Sequence, residues 1–321
     1  MGFRPNIVVV TRPTRLQGLR ERWGTVGFAK FRMKAAHAQA EPQQQGGADE
    51  ADFQVYAQED DVYRHTLERL ERALDFDLPI KLLDRSFVPN FDFSRTAVVV
   101  VVGQDGLVAN TAKYVGGLPI VGVNPDPARI DGVLLPFAPS AARRAVGGVL
   151  ERRYRARSVT MAQVQLNDGQ RLLAFNDFFL GAASHVSARY LLEVDRRSEP
   201  QSSSGLLVST GAGSTGWLSS VFNMTAGIAA LFGEQLTQRM QLSWEDRRLA
   251  WTVREPFVSK SSQANLVAGL LEPGQTLRVE SLMPAGGVIF SDGVEADFLP
   301  FNSGTTAEIM AAEEQAQLVA P

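Results

Sequence analysis

Runs of β-branched residues, separated by stretches with helical spacing, characterise the first half of the chain. Residues 6–11 contain the run Ile7-Val8-Val9-Val10, and residues 96–102 are almost entirely Ala and Val. A strand that is apolar at every position is typical of the centre of a parallel sheet, where both faces are buried. Further predicted elements are helices at 62–74 and 107–115 and a strand at 119–124. This alternation predicts an open α/β sheet whose ligands bind at the carboxyl ends of the strands.

The region between the first two strands combines helical and polar patterns. Residues 14–36 have an irregular helical pattern, whereas residues 39–52 contain three consecutive Gln, paired Gly and a Pro, without an apolar period. We therefore expect a flexible surface loop over 39–52. In the helix that follows, the residues at helical spacing, which we expect to form its buried face, are Val62, Leu67, Leu70 and Leu74.

After about residue 155 the hydrophobic and polar pattern of the sequence predicts mainly β-strands. Residues 159–166 alternate between apolar and polar positions, and the turn Asn167-Asp168-Gly169 leads into a second apolar stretch at 171–179. Together they predict a β-hairpin. Further strands are predicted at 190–195, 205–210, 249–253, 276–282 and 288–291. The chain has 321 residues, with an alternating strand and helix pattern in its first half and a strand-rich pattern in its second. We therefore expect it to fold as two domains.

Composition narrows the possible classes of function. Hydrophobic residues make up 45% of the chain, the formal net charge is −3, and the sequence pI is near 5.8. We therefore expect a small-molecule partner, no nucleic acid and no membrane surface. Cysteine is absent and histidine occurs only at His37, His65 and His185, which argues against thiolate chemistry and histidine metal clusters. The first residues lack a signal-peptide pattern, so we expect a cytoplasmic protein.

Asp105 is the first candidate for chemistry, in the turn Gly103-Gln104-Asp105-Gly106 directly after the apolar strand. Gly103 and Gly106 permit a sharp turn and let backbone amides approach a phosphate. A carboxylate at this place can deprotonate an attacking hydroxyl or help to hold a magnesium ion, as phosphoryl transfer requires. An ordinary Asp-Gly loop is the simpler explanation of these residues taken alone.

A glycine-rich segment at 205–217 is the second candidate. It contains Gly211, Gly213 and Gly216 in the GxGxxG spacing of a dinucleotide-binding Rossmann turn. However, the segment lies in the β-rich half, without a clear βαβ unit around it. The hydroxyls of Ser209, Thr210, Ser214 and Thr215 among these glycines suit a ribose or a phosphate instead. A plain strand-to-helix turn rich in Gly and Ser explains the pattern equally well.

Three further polar features have both functional and structural explanations. The pair Asn176-Asp177 interrupts an apolar strand, so one of the two side chains is expected to face the core or a pocket, as a ligand contact or within a bulge. Ser291-Asp292-Gly293 is typical of a simple hairpin turn. The arginines between 143 and 157 predict a solvated face, with phosphate steering as the lesser alternative.

Taken in order along the chain, these motifs resemble those of the NAD kinase family. The similarity covers roughly residues 96–310 and includes the Gly103 turn, Val121-Gly122-Val123-Asn124, the Asn176-Asp177 pair, the segment at 209–215 and the final Asp-Gly turn. The segments most similar to the mitochondrial-type branch of the family are Asn124-Pro125-Asp126-Pro127, Ser202-Ser203-Ser204-Gly205 and Phe290-Ser291-Asp292-Gly293.

This resemblance implies an α/β N-terminal domain with a parallel sheet and a β-sandwich-like C-terminal domain. Residues 1–140 would form the nucleotide-binding domain, 141–300 the β-rich NAD-binding domain, and 301–321 a segment that returns to the first domain. The implied reaction transfers the γ-phosphate of ATP, with Mg²⁺, to the 2′-hydroxyl of the adenosine ribose of NAD. We also expect a homodimer or a higher homo-oligomer.

The resemblance also implies roles for individual residues. Asp105 matches the catalytic aspartate of the family's Gly-Gly-Asp-Gly-Thr loop. The residues expected to bind the nucleotides are Gly103, Gly106, Asn176, Asp177, Thr210, Gly213, Ser214, Thr215, Gly216 and Trp217.

Several residues depart from the family pattern. Gln104 replaces a glycine and Leu107 a threonine of the phosphate loop, Asp177 is shorter than the usual glutamate, and Trp217 replaces a tyrosine but keeps a flat ring. Two alternatives stay open beside an active NAD kinase, the first because of these replacements and the second because diacylglycerol-type kinases share the Gly-Gly-Asp-Gly-Thr loop. One is a binding module of the same fold that has lost catalysis, and the other is a lipid or sugar kinase of the same superfamily.

Overall fold

The chain divides into two units, which are described separately. The computed structural model describes residues 4–32, 48–236 and 240–321, with the backbone alone for 48–52. Unit 1 comprises Met1–Thr111, Leu118–Arg155 and Val319–Pro321, and unit 2 comprises Ala112–Gly117 and Ala156–Leu318. Among the described residues, no helix is long and apolar enough to cross a membrane.

Unit 1 is an α/β unit built on a parallel sheet with the strand order β2-β1-β3-β4. The strands are β1 (Asn6–Thr11), β2 (Ile80–Asp84), β3 (Thr96–Val102) and β4 (Pro119–Val123). The helices are α1 (Arg15–Trp23), α2 (Ala48–Ala73), α3 (Asp105–Ala112) and α4 (Ala142–Leu150), and residues 26–32 are also helical. β3 pairs in parallel with both β1 and β4, and Val98 to Val102 are fully buried. The prediction of a central parallel strand is confirmed.

Helix α2 differs from its predicted form at both its start and its buried face. Residues 48–52 are helical, not a loop, and 39–47 lie outside the described residues. Val62, predicted to be buried, is 39% exposed, whereas Tyr63 is 4% exposed and packs with Leu70 and Leu74. The apolar pattern alone missed Tyr63 because an amphipathic side chain is buried only where its hydroxyl finds a partner. Its hydroxyl donates to the Val102 carbonyl at 2.9 Å, which places this helix face on the sheet.

Unit 2 consists of two antiparallel sheets around a shared core, so the predicted β-sandwich-like domain is confirmed. One sheet has the order β16-β13-β8-β9, with β5 joining β16 to β6, and the other has the order β12-β11-β10-β7-β14-β15. The strands are β5 (Ala156–Leu166), β6 (Arg171–Ala174), β7 (Asp177–Ala182), β8 (Ala188–Val194), β9 (Arg197–Ser203), β10 (Gly205–Ser209), β11 (Leu249–Arg254), β12 (Ala268–Leu271), β13 (Leu277–Ser281), β14 (Gly287–Ser291), β15 (Val294–Pro300) and β16 (Thr306–Val319). Helix α5 (Trp217–Ala230) follows β10.

The predicted hairpin at residues 159–179 is correct in its first half only. β5 and β6 pair antiparallel around the Asn167-Asp168-Gly169 turn, as predicted. The single strand predicted over 171–179 is wrong, because the chain leaves the first sheet after Ala174 and enters the second sheet at Asp177. The polar pair that interrupts the apolar pattern lies here, with Asn176 in the corner, residues 175–176, and Asp177 at the start of β7.

Candidate functional site

Asp292 holds the corner at residues 175–176 in place. Its carboxylate accepts hydrogen bonds from the main-chain amides of Asn176 at 2.6 Å, Phe175 at 3.0 Å and Asp177 at 3.3 Å. The side chain is 1% exposed, so these bonds satisfy a carboxylate that water does not reach. Because the corner leaves three amides without strand partners, a buried carboxylate is what allows the chain to change sheets here. The sequence interpretation of Ser291-Asp292-Gly293 as a simple hairpin turn missed this role.

A second buried ionisable side chain, Lys113, lies beside Asp292. Its Nζ donates to Ser291 Oγ at 2.7 Å and lies 3.7 Å from Asp292 Oδ2. Burial lowers the pKa of Lys113, while the carboxylates of Asp292 and Asp297 act in the opposite direction. The neighbouring Tyr114 hydroxyl donates to the Asp297 carboxylate. A lysine this deeply buried needs a paired anion, and the pairing links residues 112–117 to the β14–β15 hairpin.

Asp177 is a second buried carboxyl close to Asp292, and its carboxylate has no hydrogen-bond partner in the part of the chain that the structure describes. Among the described residues, no hydrogen bond reaches its carboxylate, although the residue is only 7% exposed. Burial raises the pKa of Asp177 to about 7, and the charge of Asp292 adds to the rise. Burial also raises the pKa of Asp292, but Lys113 and the three amides oppose that rise. The carboxyl of Asp177 therefore has a pKa near neutral pH, and it remains free to bond a ligand.

The segment from Ser209 to Trp217 is tied to the same corner. Thr210 donates its amide to the Asn176 carbonyl at 2.9 Å and its hydroxyl to the Phe175 carbonyl at 2.6 Å. Gly213 packs so closely that an added Cβ would lie 2.2 Å from the Asn176 carbonyl oxygen. The Ser214 hydroxyl donates to the Gly211 carbonyl at 2.7 Å. Thr210 and Ser214 are thus engaged within the protein, and they shape the loop.

The residues at the end of this loop are more accessible. Thr215 and Gly216 are exposed, and Trp217 is half-buried at the start of α5. The strand before the loop, β10, lies between two antiparallel neighbours, β7 and β11. A Rossmann turn requires a parallel βαβ unit, so the GxGxxG spacing does not mark one here.

An aromatic cavity of about 690 Å³ opens beside Trp217 in unit 2. The Phe179 ring stacks on Trp217 with centroids 5.7 Å apart and on Phe290 with centroids 5.0 Å apart. The guanidinium of Arg254 lies 5.1 Å from the Trp217 ring centroid, and His185 also lines the cavity. A cavity of this size, with flat rings and a cation, suits an aromatic base of a nucleotide.

Asp105 is the first residue of α3, immediately after the turn that ends β3. Its Oδ1 accepts from the Leu134 amide at 2.8 Å and its Oδ2 from the Val133 amide at 3.2 Å, while the residue is half-exposed. The carboxylate therefore already positions residues 133–134. Leu107, which replaces a threonine of the family pattern, is buried.

The buried side chain of Asn124 supports the segment that Asp105 binds. Its amide donates to the Ile130 carbonyl at 2.8 Å, and its carbonyl oxygen accepts from the Asp126 amide at 3.0 Å. The Asn124-Pro125-Asp126-Pro127 motif is thus part of the structure that carries residues 133–134 to the Asp105 carboxylate.

The predicted site residues fall into two clusters. Asn176, Asp177, Thr210, Gly213 and Ser214 come together in unit 2, and Thr215, Gly216 and Trp217 continue the same loop. Gly103, Asp105 and Gly106 form the other cluster, in unit 1. Sequence reasoning missed Lys113, Asp292 and Arg254. The only sequence signal for Lys113 is that it is the one charge in an otherwise uncharged segment, residues 107–115, and Asp292 looks like any turn residue.

Comparisons with known proteins agree with the two-unit architecture. Neither a protein-family model nor any curated protein sequence matches the chain. The crystal structure of yeast NADH kinase complexed with NADH matches with a TM-score of 0.58 and 16% identity, covering 99% of this chain and 84% of that one. An NAD kinase from Archaeoglobus fulgidus in complex with ATP matches with a TM-score of 0.55 and 18% identity, covering 79% and 89%. At these identities the matches show that the chain shares their fold.

Proposed function

We propose that this chain, which has the fold of NAD and NADH kinases, is itself an NAD kinase. It transfers the γ-phosphate of ATP to the 2′-hydroxyl of the adenosine ribose of NAD and forms NADP. The observation that supports this most is the corner at Asn176, which Asp292 fixes and which the Thr210 loop binds from the other side. Through it, the two motifs expected to bind the dinucleotide are joined in one place, beside an aromatic cavity.

In this proposal the dinucleotide binds in unit 2. Asn176 is half-buried and Asp177 has no partner for its carboxyl among the described residues, so both can hydrogen-bond ribose hydroxyls or a base edge. Trp217 offers a ring for a base to stack on, and Thr215 and Gly216 are exposed next to it. Thr210, Gly213 and Ser214 contribute indirectly, because their contacts hold the loop in shape.

The phosphoryl donor, ATP, is proposed to bind at the Gly103-Gln104-Asp105-Gly106 turn of unit 1. No group of three or more Asp, Glu or His side chains within the described residues forms a metal cage. Mg²⁺ commonly binds through one or two carboxylates and the phosphates of the substrate. Asp105 is the carboxylate for this task, and the ion would neutralise charge on the phosphates. In the alternative, Asp105 acts instead as the base for the attacking hydroxyl.

A non-catalytic binding module of the same fold is the second candidate, because Leu107 is buried where the family has a hydroxyl. Incubation of the purified protein with ATP, Mg²⁺ and NAD, followed by detection of NADP, tests the kinase directly. NAD binding by calorimetry without NADP formation would identify the binding module. Phosphorylation of a diacylglycerol or a sugar in place of NAD would identify the superfamily alternative.

Three finer points stay predictions. They are the similarity to the mitochondrial-type branch, the cytoplasmic location and assembly as a homodimer or a higher homo-oligomer. Sedimentation analysis of the purified protein tests the last of them.

A further inference from the structure

Arg254, the last residue of β11, lines the aromatic cavity of unit 2. Among the described residues, its guanidinium donates no hydrogen bond, and its ion pair joins Nη2 to Glu255 Oε2 at 3.7 Å. The two side chains are 27% and 48% exposed, and an ion pair of this length in contact with water contributes little. The guanidinium therefore keeps its N–H donors for a further acceptor.

Two aromatic rings of the cavity hold this guanidinium in place. Its Cζ lies 5.1 Å from the Trp217 ring centroid and 5.9 Å from the Phe179 ring centroid, while the two centroids are 5.7 Å apart. These distances form a nearly equilateral triangle, so the cation lies beside both rings and not on the opposite side of Trp217 from Phe179. A guanidinium that packs on aromatic rings can still donate from its edge. The rings thus orient Arg254 and leave its donors available.

The Phe179 ring is itself positioned by two glycines. A Cβ added to Gly181 would lie 2.4 Å from the ring, and one added to Gly205 would lie 2.6 Å from it. A side chain at either position would push the ring away, so its place depends on these glycines. Gly205 follows Ser204, whose amide donates to the Arg254 carbonyl at 2.9 Å. The wall that carries Arg254 is therefore set by packing before a ligand binds.

The size and the charges of the cavity fit a nucleoside phosphate. Its volume of about 690 Å³ is within the usual range of small-molecule sites. Arg254 places a positive charge beside the rings, and the exposed Ser204 adds a hydroxyl donor next to it. Glu295, the acidic residue that lines the cavity, is exposed and forms no ion pair with Arg254, so it does not neutralise the guanidinium. Rings with a cation beside them suit a base that is followed by a phosphate.

We propose that Arg254 binds the phosphate of the nucleotide whose base stacks in this cavity. The cavity then selects a nucleotide over a nucleoside, because only the nucleotide offers the guanidinium an acceptor of opposite charge. This inference rests on the proposed function for NAD as the ligand. The two halves of NAD, adenosine monophosphate and nicotinamide mononucleotide, each have one base and one phosphate, and the experiment distinguishes which half enters the cavity.

Calorimetry with matched pairs of ligands tests the role of Arg254. The pairs are adenosine monophosphate with adenosine, and nicotinamide mononucleotide with nicotinamide riboside, so that only the phosphate differs within a pair. In the wild type we expect one pair to show about 10- to 100-fold tighter binding of the nucleotide. In Arg254→Gln this preference is lost, while the nucleoside binds nearly as in the wild type because stacking remains. A purely structural role of Arg254 would instead weaken both ligands of the pair alike.

Arg196→Gln is the matched control, since Arg196 is an exposed arginine of unit 2 that does not line the cavity. It should keep the wild-type preference for the nucleotide, and thermal unfolding checks that each variant folds. Should Arg254→Gln not fold, Arg254→Met, which keeps an apolar stem, is measured in its place under the same criteria.

The outcomes separate this inference from the proposed function. The role of Arg254 is overturned if the neutral variant keeps the nucleotide preference, if Arg196→Gln loses it equally, or if nucleotide and nucleoside are weakened alike. It is also overturned if the wild type shows no preference, or no binding, in either pair. If NADP forms in any of these cases, the kinase stands without this role. If no NADP forms but the preference depends on Arg254, the nucleotide site stands and the proposed kinase fails.

Discussion

Replacing Asp177 with Asn should change how the stability of the protein depends on pH. In the folded protein, burial raises the pKa of Asp177 to about 7, with a further contribution from the charge of Asp292. In the unfolded chain an aspartate titrates near pH 3.9, about the reference value. Between these two values the folded protein therefore holds a proton that the unfolded chain has released.

The size of the effect follows from proton linkage. A difference of about three pKa units between folded and unfolded protein corresponds to about 4 kcal/mol of unfolding free energy. Because the folded state binds the extra proton, this stabilisation is fully present below about pH 4 and is lost as the pH rises through about 7. The amide side chain of the Asp177→Asn variant carries no charge at any pH, so the stability of the variant should not fall in this way as the pH rises.

Urea unfolding of the wild type and Asp177→Asn between pH 4 and pH 8 measures the effect. We expect the wild-type free energy of unfolding to decline across this range, and the variant to exceed it by a few kcal/mol at pH 8. Asp131→Asn is the matched control, since Asp131 is exposed. If the curves of the wild type and Asp177→Asn run parallel from pH 4 to pH 8, Asp177 titrates normally and the account of its burial is wrong.

Three further substitutions test the site. Asp105→Asn should reduce NADP formation about 100- to 10,000-fold and cost about 1–3 kcal/mol of stability, because an amide cannot accept both backbone N–H groups; turnover near the wild-type rate would remove it from the mechanism. Lys113→Met leaves a buried carboxylate unpaired and should cost about 3–5 kcal/mol in urea unfolding. An unchanged midpoint would show that the ion pair is not needed. Trp217→Ala should weaken NAD binding about tenfold in calorimetry through loss of stacking, and equal affinity would place the base elsewhere.

The local sequence pattern was sufficient to predict elements that are buried on both faces or that end in a distinctive turn. β3 is the clearest case, because Val98 to Val102 leave no position for solvent. The Asn167-Asp168-Gly169 turn is another, since Gly169 has a φ of 90°, which a glycine adopts without strain. Both signals lie within a few residues of the element that they define.

Elements whose stability depends on distant partners could not be predicted from pattern. β9 is polar almost throughout, yet its Glu199 is buried, and the Glu199 carboxylate accepts from the amides of Asn265 at 2.9 Å and Leu266 at 3.0 Å. The edge strand β2 is largely exposed, so it has no continuous apolar run. Glu199 and its partner Asn265 are more than fifty residues apart in the chain, and so are β2 and its neighbouring strand β1.

The α/β and β-rich halves, the Gly103 turn and the motifs from Asn176 to Trp217 could be predicted, because each depends on adjacent residues. Which polar groups organise the site became clear only from the folded chain. Asp292 lies more than a hundred residues after the corner that it holds, and Lys113 lies still further from Ser291. The reason is physical: a buried charge is tolerated only where amides or an opposite charge meet it, and that meeting occurs only in the folded chain.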